Sequence, residues 1–217
     1  VDKARDRAEW YRLLRLLRQH REHEPINGMI LAVAAETLLT QPDDKLRGDA
    51  SRLRERFEEA VQELGCDFPI YLLITKCDRV EGFNEFFAQL PPRVLSEVIG
   101  FVDDPPTAQA GVQSVRGEDT LQRLQAGLHM INERLHRFRL SLLDNKLPEN
   151  LRQPIFCFPE ECKALQQPLL TFAKSLLSVD PRYHTPLFRG IFFSSAQQQG
   201  APLSLLRPQL QVPESAA

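Results

Sequence analysis

Five consecutive apolar or aromatic residues, Ile70-Tyr71-Leu72-Leu73-Ile74, follow Pro69 and stop at the polar tetrapeptide Thr75-Lys76-Cys77-Asp78. A short apolar run bounded in this way fits a strand buried on both faces, the habit of a parallel sheet covered by helices. In open α/β sheets the ligand crevice lies beyond the carboxyl ends of the strands, and Thr75–Asp78 falls there. Parallel neighbours for this strand then need crossover connections of a dozen or more residues, usually helical.

A chain of 217 residues can hold one sizeable core, or one core with a helical subdomain. The net charge of −2 argues against a nucleic-acid binder that works by bulk electrostatics. No apolar run approaches the roughly 18–20 residues needed to cross a bilayer. The N-terminus is charged from Asp2 onward and shows no signal-peptide pattern. Cys66, Cys77, Cys157 and Cys162 are scattered without a C-x-x-C pair, which reads as free thiols in a reducing compartment.

Trp10, Leu13, Leu14 and Leu17 recur at helical spacing, with Leu16 widening the stripe, and predict a helix over residues 2 to 23. Its other face carries Lys3, Arg5, Arg7, Arg12, Arg15 and Arg18. Such a face can lie on an anionic membrane, but Asp2, Asp6 and Glu9 dilute it and favour a solvated outer helix. After a turn at Pro25-Ile26-Asn27-Gly28, Met29 to Ala34 reads as a second buried parallel strand. Leu46, Leu53, Phe57, Ala60, Val61 and Leu64 mark a helix over residues 43 to 64, with Gly65 as its C-terminal stop. Together these make one βαβ unit, right-handed in nearly all proteins.

Beyond Asp78, three phenylalanines within five residues, Phe83, Phe86 and Phe87, are placed to cover a hydrophobic pocket beside the strand end. A short helix pair is expected to end near Pro91-Pro92 and Gly100, and residues 102 to 117 read as a loop prone to disorder. Leu121, Leu124, Leu128, Ile131, Leu135, Phe138 and Leu142 predict a long helix over 118 to 144. His129 and His136 on it read as surface histidines, since no third ligand is suggested nearby. Pro154-Ile155-Phe156-Cys157-Phe158-Pro159 reads as a third buried strand, followed by a helix over 160 to 177, and residues 186 to 193 as a fourth strand. Ala201 to Ala217, with three prolines, reads as an exit linker. No internal repeat is present.

Thr75-Lys76-Cys77-Asp78 matches the Asn/Thr-Lys-x-Asp motif with which GTP-binding domains read the base. There the Asp carboxylate accepts from the N1–H and exocyclic amine of guanine, a donor pair that adenine lacks. The Lys stem lies against the base, and the first residue bridges to the phosphate-binding loop. The bland alternative has Lys76 and Asp78 cap the sheet end by pairing with other side chains. Two later segments compete for the base edge: Ser195-Ala196 mimics the Ser-Ala signature that contacts guanine O6, and Pro159-Glu160 follows the strand expected next after Asp78. The sequence leaves open which of the two serves, or whether neither does. A phosphate loop, Gly-x-x-x-x-Gly-Lys-Ser/Thr, is absent, as is the strand-end Asp that would hold Mg²⁺. The chain is therefore either the C-terminal half of a GTPase-like domain or a domain that has lost the site, and it should not hydrolyse a nucleotide. Ser194 and Ser195 lack the glycines of a nucleophile elbow, and Glu160 and Glu161 suit helix capping. No catalytic residue and no metal-binding set is assigned.

With these pieces in order, the chain resembles the cytoplasmic domain of the TssM/IcmF family of bacterial type VI secretion. The resemblance rests on Trp10 with its basic helix, Pro25 to Leu31, Pro69 to Asp78, Gly82-Phe83, Ile155 to Pro159, and Leu187 to Gly200. The last block is similar to the family's L-R-G-x-Y-F-T-S-G-x-Q-x-G run, with Phe188 and Ala196 among the departures. The resemblance implies an α/β fold: the C-terminal portion of a P-loop GTPase-like three-layer sandwich, with a mainly parallel sheet and helical additions. Residues 1–200 would form that cytoplasmic domain, with 102–150 as a loop and helical insertion and 201–217 as a Pro-rich linker towards a membrane helix. It implies a phosphate loop upstream, so that no cofactor is held by this chain alone, whereas GTP or ATP with Mg could bind the complete domain. It also implies a scaffold at the cytoplasmic side of the inner membrane, anchored by segments outside this chain and oligomeric in the full assembly. The implied partners are TssL and TssJ subunits and baseplate proteins, not nucleic acid.

Overall fold

A computed structural model describes residues 3–21, 23–103, 118–144, 147–178, 184, 186–196, 201–204 and 206. Its first half runs α1 (Lys3–His20), β1 (Met29–Ala34), α2 (Ala35–Thr40), α3 (Asp43–Leu64) and β2 (Pro69–Thr75). A 3-10 turn over Cys77–Arg79 leads to α4 (Phe83–Ala88), α5 (Pro92–Leu95) and β3 (Ile99–Val102). Then come α6 (Glu118–Leu143), α7 (Glu149–Ala164), α8 (Gln166–Leu176) and β4 (Leu187–Phe193).

The two apolar runs pair as expected: β1 and β2 are parallel, from Met29 opposite Ile70 to Ala34 opposite Thr75. Helix α3 forms the crossover. Asp43 and Asp44 sit in its first turn, where negative charge favours the macrodipole. Gly65 ends it in the left-handed conformation (φ 69°) that only glycine adopts at little cost, its N–H donating to the Val61 carbonyl at 2.9 Å. The buried stripe of α3 includes Leu46, Phe57, Ala60, Val61 and Leu64, and Phe57 meets Phe68 edge-to-face at 5.3 Å.

Strand β4 lies parallel to β2 on its other side, and a bulge at Arg189 shifts the register between Phe188 and Gly190. The sheet is completed by β3, antiparallel to β4, in the order β1-β2-β4-β3. It is therefore a mixed four-stranded sheet. The fold is α/β as expected, with helices predominating.

Two expectations fail. Residues 99 to 102, read as the end of a helix pair, form the edge strand β3, pinned to α6 by Arg123 on Asp103 at 2.7 and 3.1 Å. Phe101 packs against the α6 backbone at Gly127, where a Cβ would stand 2.3 Å from the ring. Residues 154 to 159 are not a strand but the middle of α7, which contains both Pro154 and Pro159. Each proline removes one helical N–H, and packing offsets the loss. Phe158 inserts among Phe86, Phe87 and Phe83 at ring-centroid distances of 4.9, 5.6 and 5.8 Å. Ile155, Phe158 and Glu161 are buried while Phe156 is exposed, a period of three to four that no doubly buried strand shows. The helix expected over 160 to 177 is accordingly divided between α7 and α8.

In α1 the buried stripe is narrower than expected: Leu14 is buried, Trp10 and Leu17 pack partly, and Leu13 and Leu16 are exposed. Part of its basic face turns to α3, with Arg7 on Glu59 at 2.9 Å and Arg15 on Glu63 at 3.1 Å. The disorder expected within 102 to 117 falls, from residue 104, outside the described residues. Most of the segment read as an exit linker does too, but its start does not float. The Leu203 N–H donates to the Arg79 carbonyl at 2.6 Å, and its own carbonyl accepts from the Glu81 N–H at 3.0 Å.

Candidate functional site

Parallel strands deliver their carboxyl ends to one rim, and β2 and β4 are adjacent there. Main-chain hydrogen bonding continues past both strand ends: the Ser194 N–H donates to the Ile74 carbonyl at 2.8 Å, and the Cys77 N–H to the Ser194 carbonyl at 3.3 Å. This carries Ser195 onto the turn that holds Asp78. The Ser195 hydroxyl donates to Asp78 Oδ1 at 2.5 Å and accepts from the Asp78 backbone N–H at 3.0 Å.

Of the three base-reading candidates, Thr75 donates through Oγ1 to the Val33 carbonyl at 3.4 Å, bridging β2 to β1. Lys76 is exposed and left-handed (φ 55°, ψ 40°), the single non-glycine with positive φ among the described residues. For a lysine this conformation costs about 1–2 kcal/mol and recurs where a site over-determines the backbone. Asp78 is buried, 7 % exposed, beneath the turn. Nearby, Arg79 reaches Glu36 of α2 at 3.4 Å.

The two competing base-edge segments separate clearly. Ser195, with the exposed Ala196 beside it, stands at the Asp78 corner. Pro159 and Glu160 lie within α7 rather than on a loop; Pro159 is buried, and Glu160 faces Arg139 at 3.6 Å and His136 at 3.8 Å. The left-handed Lys76 and the tether at Leu203 are parts of the corner that no local sequence signal announces.

Behind the corner is an apolar cavity of about 50 Å³, lined in part by Ile74, Cys77, Phe83, Phe158 and Cys162. Burial pushes the Cys77 thiol up to about 12 and raises Cys162 further. Neither is a nucleophile at neutral pH. Asn132 also lines the cavity, and its Oδ1 is buried without a hydrogen-bond partner among the described residues. All four cysteines are free, and no three metal-ligating side chains cluster among the described residues. No described helix is long and apolar enough to cross a membrane.

The corner brings together a buried carboxylate, an exposed lysine and a hydroxyl on the carboxyl rim of a parallel sheet. A family profile described as the IcmF-related N-terminal domain matches residues 3–215, so the chain belongs to the IcmF-related family. It is 31% identical over 204 residues to the type VI secretion system component TssM1 of Pseudomonas aeruginosa, across 93% of this chain. The chain spans 18% of the length of that relative. No solved structure gives a significant match.

Proposed function

We propose that this chain is the GTPase-like cytoplasmic part of an inner-membrane scaffold protein of a type VI secretion system, docking neighbouring subunits rather than turning over nucleotide. The similarity to TssM1 across 93% of the chain carries this reading. The Asp78 corner supports it, since the base-reading carboxylate is engaged by Ser195 at 2.5 Å and the adjoining turn by Leu203. The partners that follow from the resemblance are TssL and TssJ subunits and baseplate proteins, with the anchor in segments outside this chain. Isothermal calorimetry of this chain with GTP and Mg²⁺ should show weak binding at most and no turnover. Tight binding would sink the reading.

One observation favours a second reading. Thr75, Lys76, Asp78 and Ser195 gather at one corner, where a guanine base is read in GTP-binding domains. On that reading the complete protein is a regulatory GTP-binding domain whose phosphate loop lies upstream. Asp78→Asn in the complete protein should then lose its preference for guanine over adenine nucleotides. Unchanged selectivity counts against it.

A further inference from the structure

Asn132 lies on the core-facing side of α6, 5 % exposed, and its Oδ1 is buried without a hydrogen-bond partner among the described residues. It lines the cavity behind the Asp78 corner, between the sheet and helices α6, α7 and α8. The rest of the described wall is aliphatic, aromatic or thiol, save for Gln166, whose Nε2 already donates to the Leu128 carbonyl at 3.2 Å. Folded proteins satisfy nearly all buried polar atoms, so a bare oxygen that faces open space has a cause to be found.

The size and chemistry of the space select its occupant. The cavity measures about 50 Å³, room for about three to five water-sized groups at about 10–15 Å³ each. Water fills such a space poorly. Each buried water makes about three hydrogen bonds, and the described wall offers two side-chain amides, one of them already engaged. A charged group is excluded, since no described side chain in the wall could pair with it. A short aliphatic alcohol meets both demands. Its hydroxyl donates to Oδ1, which can only accept, while its chain gains burial and dispersion contacts against the apolar wall.

A second cavity, also of about 50 Å³, shares Phe87, Ile99, Ile131 and Leu135 with the first. Further out it is lined by Val98, 70 % exposed, and by Glu97 and Arg134, which pair at the surface. We infer that the Asn132 cavity is a binding site for a short, uncharged aliphatic alcohol, with the hydroxyl on Asn132 Oδ1 and the chain among Ile74, Leu135 and Phe158. The second cavity supplies its route from solvent, between β3 and α6 and past the four shared side chains. Ile74, Cys77 and Val80 line the site as well, so an occupant bears on both ends of the turn that holds Asp78.

The test uses 1-butanol and diethyl ether, which share one formula and one length of chain, although only the alcohol has a hydrogen-bond donor. Titration of this chain, followed by amide NMR, should give saturable 1-butanol shifts at Cys77, Val80 and Asn132. The apparent Kd for 1-butanol should be about fivefold to tenfold below that for diethyl ether, the worth of one hydrogen bond to a bare acceptor. Asn132→Leu should erase that preference. If this variant does not fold, the alcohol-to-ether ratio on the parent chain decides by itself. Equal affinity for the two probes, no saturable binding of 1-butanol, or a preference that survives Asn132→Leu overturns the inference. So does a long-lived water, seen by its NOE to the Asn132 side chain, that 1-butanol fails to displace. None of these results depends on whether Asp78 reads a base.

Discussion

Ser195 holds Asp78 from both sides, donating to its carboxylate at 2.5 Å and accepting from its backbone N–H at 3.0 Å, across 117 residues of sequence. Ser195→Ala removes both bonds around a buried carboxylate and should cost about 1–3 kcal/mol. Urea unfolding measures it. Ser194 bonds to the neighbouring strand through its main chain, so Ser194→Ala should stay within about 0.5 kcal/mol of the parent.

Arg54 is a heavily engaged buried charge. It pairs with Glu58 at 2.9 Å and donates to the carbonyls of Leu176, Ser178 and His184 at 2.9, 3.0 and 2.6 Å. It thereby fastens the chain after α8 to α3. Arg54→Met strands the Glu58 charge and should cost about 3–5 kcal/mol. Arg54→Lys should rescue little, because an ammonium cannot span those acceptors as the guanidinium fork does. Arg54→Met combined with Glu58→Leu should recover much of the loss in thermal unfolding, and failure to recover any would show that the carbonyl contacts dominate.

Cys77 gives a signature in alkaline solution. Its thiol titrates at about 12 when folded, against 9.0 for an ordinary cysteine, because burial disfavours the thiolate. Above pH 9 the unfolded chain releases this proton and the folded one keeps it. The contribution is therefore fully present below pH 9 and declines from there to about pH 12, by about 1.4 kcal/mol per pH unit at most. Cys77→Ala should flatten that part of the stability profile while lowering its plateau through the lost packing. Under native conditions at pH 8, iodoacetamide should spare Cys77 and Cys162, as read by peptide mass spectrometry.

The Asn132 oxygen, without a partner among the described residues, faces a cavity whose only other polar amide among those residues is Gln166. Replacing it with a near-isosteric apolar side chain removes an uncompensated polar atom, so Asn132→Leu should stabilise the fold by about 1–2 kcal/mol. A loss of stability instead would mean that an interior water satisfies the oxygen.

The elements that sequence announced are those whose local pattern and tertiary role agree. Met29 to Ala34 and Pro69 to Thr75 are continuous apolar runs and became the parallel pair. The α3 stripe ends at a glycine that caps it in the left-handed conformation. Strand β3 escaped because four residues with a glycine among them leave no period to read, and its strand character comes from β4 beside it. The stretch from Pro154 to Pro159 misled because prolines at both ends imitate strand boundaries. Spacing through Ile155, Phe158, Cys162 and Leu165 was the available helical signal. At the candidate site, the sequence offered Thr75, Lys76 and Asp78 but could not choose between Ser195 and Glu160. That Ser195 and not Glu160 lies beside Asp78 is a matter of topology: β4 is the neighbour of β2, so the chain leaving β4 emerges there.

The attachment of Leu203 has a mechanical side. Its two main-chain bonds land on Arg79 and Glu81, at the end of the turn that begins after Lys76. Among the described residues, tension applied to the polypeptide beyond Leu206 is resisted by those two bonds and by Ser204 on Glu161. Through the two Leu203 bonds, load passes into the short backbone span that carries Asp78. Whatever pulls on that end of the chain pulls on the Asp78 corner.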